Sequence, residues 1–101
     1  MKSEIARALA QHLSRELGDD AVLELGEHTI EDVAEEISEL VERLQDARSS
    51  EERKKLQAEA DFLEEQAMMR VDSERVRRSA DTDAALRGAI RMAIRPYLAA
   101  G

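Results

Sequence analysis

Between residues 30 and 47 the apolar positions fall at Ile30, Val33, Ile37, Leu40, Leu44 and Ala47. Steps of three and four held over about two and a half heptads predict an amphipathic helix. Ala34 and Val41 widen its stripe beyond a two-helix seam, so this helix expects more than one neighbour. Thr29 can accept from the amide of Glu31 or Asp32, and Asp32 stands where a capping box places its acid. After the break SSEE at 49–52, a second pattern places Leu56, Ala60, Leu63, Ala67 and Val71 on one line, flanked by Ala58, Phe62, Met69 and Val76. Ser49 with Glu52 supplies its capping box, and neither glycine nor proline interrupts it before Ala80.

These two segments, 30–47 and 51–79, predict an αα-hairpin with arms of about 27 Å and about 43 Å at ~1.5 Å per residue. The longer arm overhangs and must pack on something else. Alternatively, Asp72 and Ser73 end one helix there and cap another, which would make five helices.

Ser3 can cap a first helix over 3–17, with Ile5, Ala6, Leu9, Leu13 and Leu17 on one face and Gly18 as its stop. The connector 18–28 carries an apolar foot, Val22, Leu23 and Leu25, too short to separate a helical turn from an extended segment. A last helix over 83–95, capped by Asp81 or Asp83, carries Leu86, Ile90, Ala93, Ile94 and Tyr97. Pro96 should end or kink it at Arg95, with 98–101 frayed. The expectation is one all-α domain over 1–101, a hairpin with one additional helix at each end.

Composition adds a shortage. Of 101 residues, 43% are hydrophobic and 38% charged, but sixteen are alanine and only Phe62 and Tyr97 are aromatic. A domain of this size buries roughly 60–65% of its unfolded surface, here much of it methyl groups. A bundle completed by oligomerisation is therefore expected, with Ile30, Val33, Ile37, Leu40, Leu44, Leu56, Leu63, Phe62 and Met69 as the seam toward a second copy or another protein. Phe62, Met68 and Met69 fit either a soft docking patch or a second layer of core.

The formal net charge is −8. Glu31, Asp32, Glu35, Glu39, Glu42 and Asp46 occupy the face opposite the apolar stripe of the first arm, which suits a solvated helix or a carboxylate rank imitating nucleic-acid phosphates. The C-terminal third is rich in arginine, and Arg87, Arg91 and Arg95 recur every four residues as one stripe. Such a row can grip phosphates or meet the acidic face of another copy. Interspersed acids and the absence of a stacking platform put nucleic acid below protein as a partner.

The cysteine-free sequence excludes disulfides, thiol nucleophiles and cysteine metal sites. His12 with Glu16 and His28 with Asp32 lie one turn apart, but neither histidine completes a Glu-x-x-His or HExxH motif. No phosphate-cradling glycine loop or nucleophile elbow is present. The sequence therefore predicts no catalytic residues, cofactor or metal. No stretch approaches the ~18 apolar residues of a membrane span, and the first residues lack a signal-peptide run, so a cytoplasmic location is expected. The expected function is that of a non-catalytic interaction or assembly protein (adaptor, assembly chaperone or inhibitor) acting as an oligomer. The alternatives are nucleic-acid binding through the arginine stripe and an acidic decoy for a nucleic-acid-binding protein.

Overall fold

A computed structural model describes residues 4–99, and the expected Ser3 cap lies outside them. Among the described residues the chain is all α: α1 (Glu4–Leu17), α2 (Asp19–Leu25), α3 (Glu27–Asp46), α4 (Ser50–Ser73) and α5 (Ala80–Ala99). The wide stripe of α3 has the consequence its pattern implied. Ile30, Val33, Ala34, Ile37, Leu40, Val41 and Leu44 are all buried, and α1, α2, α4 and α5 each pack against this one helix. α4 returns antiparallel beside it as the second hairpin arm, while α1 and α5 close over the remaining sides.

The connector 18–28 is resolved as a helix between two glycine corners. Gly18 and Gly26 both have φ of 85°, with ψ of 167° and 150°, a region that L side chains essentially do not enter. Backbone hydrogen bonds nonetheless run across both corners, from Val22 N to Gly18 O and from Ile30 N to Gly26 O. Of the expected foot, Leu25 is buried, Val22 packs partly buried against the core and Leu23 is exposed, while Ala21 is buried one turn from Leu25. The Glu24 carboxylate reaches the start of α5, accepting from Ser79 N at 2.6 Å and Thr82 Oγ1 at 2.8 Å. Those hydrogen bonds lower the pKa of Glu24, and the partial positive charge of the α5 N-terminus also suits a carboxylate there.

Several predicted boundaries shift for local reasons. α3 begins at Glu27, so Thr29 is not its cap; its hydroxyl donates to Glu74 instead. Ser49 does cap α4, accepting from Glu52 N at 3.1 Å, while Glu52 reaches back to Arg48 N. α4 ends at Ser73 rather than 79, because Arg75 takes the left-handed conformation, φ 56°, and donates its N–H to Asp72 O. Ser79, not Asp81 or Asp83, caps α5 by accepting from Thr82 N. α5 then passes through Pro96 to Ala99, since a proline in the last turn withdraws only one helical hydrogen bond. Arg53 and Gln57 of α4 donate to the Tyr97 and Leu98 carbonyls, two of the last four of the helix, which have no helical partner among the described residues.

The three internal glycines have opposite expected responses to alanine. Nothing stands within 4 Å of a Cβ placed on any of them. Gly18→Ala and Gly26→Ala should each cost about 1–3 kcal/mol through backbone strain alone, whereas Gly88→Ala inside α5 should add about 0.5–1 kcal/mol. Urea unfolding of the three variants measures both signs.

Candidate functional site

Turning α3 and α4 inward decides which apolar residues stay available. Ile30, Val33, Ile37, Leu40, Leu44, Leu56 and Leu63, read from sequence as a seam toward a partner, lie in the core of this same chain, covered by α1 and α5. Phe62 and Met69 have the opposite fate, with 64% and 67% of their surface exposed. They lie seven residues apart, and with exposed Ala58 they follow the side of α4 opposite Leu56, Leu63 and Ala67. Met68 is 1% exposed and belongs to the core, so the two adjacent methionines divide between the two readings.

The arginine stripe meets acids of its own chain. Arg87 contacts Asp83 at 3.2 Å and Glu65 at 2.8 Å, and Arg91 contacts Glu64 at 3.2 Å, which ties α5 to α4. Arg95 is exposed and forms no ion pair among the described residues. Upstream, Arg78 bridges Asp72 at 2.6 Å and Asp83 at 2.8 Å across the α4–α5 connection. Burial alone would raise the Asp83 pKa, but hydrogen bonds from Arg78 and Arg87 outweigh it and hold the group below its ordinary 3.8. The acidic rank on α3 is also partly engaged: Arg70 reaches Asp32, Glu35 and Glu36 at 3.6, 3.6 and 3.0 Å. Glu39, Glu42 and Asp46 remain on the exposed surface.

At the end of the hairpin where α3 starts and α4 stops, three potential ligands converge. His28 and Asp32 share one face of α3 at i, i+4 spacing, and the residue that ends α4, Glu74, is brought beside them. His28 Nε2 lies 3.3 Å from Asp32 Oδ2 and 3.9 Å from Glu74 Oε1. A hydrogen bond shared with Asp32, reinforced by burial and by the Asp32 charge, raises the Glu74 pKa above its ordinary 4.5. The His28–Asp32 spacing was legible in the sequence. Glu74 was not, because only the antiparallel return of α4 delivers it.

The surface grooves offer less. One between α1 and α3 is lined by Ala10, Gln11, Ser14, Glu27 and Glu31, and another by Leu44, Gln45, Arg53, Pro96 and Tyr97. No helix among the described residues is long and apolar enough to cross a membrane. No protein-family model, curated protein or solved structure matches the chain.

The Asp83 network has a testable pH signature. Because its pKa is depressed in the folded state, the stability it contributes is present above the ordinary 3.8 and is lost as pH falls through the folded value. Asp83→Asn should therefore destabilise the protein at neutral pH. In denaturant titrations across pH, the gap from wild type should close below that ordinary value.

Proposed function

We propose that the protein is a non-catalytic helical interaction module that pairs with a second copy of itself through the outward face of α4. The observation that carries this reading is the exposure of Phe62 and Met69, one heptad apart on a side of α4 that no helix among the described residues covers. A two-fold axis passing between Glu65 and Gln66 would set Phe62 against Met69 of the second copy, twice, in antiparallel α4 helices. Such a pairing combines apolar burial with two sulfur–aromatic contacts.

Two apolar side chains per copy make a small interface core, so the pair should be weak, in the micromolar range or above. Carboxylates beside the stripe, Asp61 and Glu65, would repel their counterparts. The Arg87 contact to Glu65 reduces that repulsion. Phosphate binding through the arginine stripe is the weaker reading, since Arg87 and Arg91 already contact carboxylates of α4.

Sedimentation over roughly 10 µM to 1 mM should reveal a monomer–dimer equilibrium. Added salt should tighten it by screening the carboxylates. Phe62→Ser/Met69→Ser should remain monomeric with unchanged helicity. A monomer at every concentration, or a dimer indifferent to the double substitution, would overturn the proposal.

A further inference from the structure

We propose that His28, Asp32 and Glu74 form a binding site for one divalent cation of the zinc class, with water completing its coordination. Their ligand atoms all lie within 4.8 Å of one another. The separations from His28 Nε2, 3.3 Å to Asp32 Oδ2 and 3.9 Å to Glu74 Oε1, are close to the ~3.3 Å edge of a tetrahedron with bonds of about 2.0–2.1 Å. Small side-chain adjustments bring all three onto one ion.

The orientation of the carboxylates supports the assignment independently of spacing. Each has one oxygen contacted from outside the cluster and the other turned toward the imidazole. Thr29 Oγ1 donates to Glu74 Oε2 at 3.2 Å, leaving Oε1 toward His28. Arg70 Nη2 stands 3.6 Å from Asp32 Oδ1, leaving Oδ2 toward His28. This is how outer partners orient the ligands of a metal site.

Asp32 adds a separate indication. It is 8% exposed, and its carboxylate faces the His28 imidazole at 3.3 Å, the Arg70 guanidinium at 3.6 Å and the Glu74 carboxyl group. A largely buried carboxylate set this close to a second carboxyl group favours positive charge at short range. Arg70 does not meet the need alone, because Glu35 and Glu36 share its guanidinium.

The ligand set also selects the ion. One imidazole nitrogen with two carboxylate oxygens suits zinc-class ions better than magnesium or calcium, which prefer all-oxygen shells. His28, with 83% of its side chain exposed, forms the open rim through which an ion enters. A bound ion would join the first turn of α3 to the end of α4, so binding should also raise the unfolding temperature.

Isothermal calorimetry of the untagged chain with zinc chloride provides the test. The expected result is one ion per chain, with His28→Gln and Glu74→Gln each weakening binding about tenfold or more and Thr29→Val by about tenfold. Glu42→Gln/Asp46→Asn, on the exposed face of α3, should bind as wild type does, and magnesium should give no comparable heat. The proposal is overturned by absence of saturable binding, by a stoichiometry of one ion per two chains, or by affinity unchanged in His28→Gln. Because His28 is solvent-facing, that last variant remains informative even if Glu74→Gln impairs folding.

Discussion

The architecture depends on α3 being buried over an unusually wide arc. A helix whose apolar residues occupy a narrow seam can be satisfied by one partner. α3 cannot, because Ala34 and Val41 extend its stripe beyond Ile30, Ile37 and Leu44, and all of them are buried. Truncating a side chain such as Ile37, which has no exposed surface, would cost about 2–5 kcal/mol. The remaining helices can be understood as cover for this surface. Gly18 and Gly26 turn the incoming chain so that α1 lies along α3, and the left-handed turn at Arg75 redirects the chain after α4 so that α5 can close the other side.

This also explains why a small alanine-rich chain makes its own core. The shortage of large side chains was real in the composition, but alanine allows close helix approach. Ala6, Ala21, Ala34, Ala67, Ala89 and Ala93 are buried at helix contacts where bulkier residues would hold the backbones apart. The Cα radius of gyration, 13.4 Å, is only slightly above the ~13 Å expected of a compact chain near this length. The seam inferred from residue size was therefore filled from within. Of the second, minor line, Ala58, Phe62 and Met69 stay outside while Val76, beyond α4, packs against the core, a division that periodicity alone could not resolve.

Legibility only partly followed the range of the interaction. The Ser79 cap of α5 and the left-handed turn at Arg75 are local and were missed, but several features set by neighbouring residues were readable: the hairpin, the Ser49 cap, the breadth of the α3 stripe and the stop at Gly18. Features set by distant residues were not. Glu24 reaches the start of α5 across 55 residues of sequence, and Thr29 reaches Glu74 across 45. In both cases a side chain suited to a local role works on a remote helix end. The partners of Arg87 and Arg91 were similarly hidden, because their four-residue spacing describes a stripe without saying what faces it.

The charge pattern follows from the same packing. With a net charge of −8, a small domain destabilises itself by repulsion unless its cations are placed where acids accumulate. Arg70 lies opposite α3 acids, Arg87 and Arg91 lie opposite α4 acids, and Arg78 bridges two acids at the chain reversal. Exposed ion pairs contribute little individually, about 0–1 kcal/mol, so their main effect is to fix which helix faces meet. The hairpin end is where this compensation is incomplete: His28, Asp32 and Glu74 gather there with a single guanidinium shared among three α3 carboxylates. Beside the solvent-facing imidazole of His28, the buried Asp32 therefore shares its one guanidinium with Glu35 and Glu36.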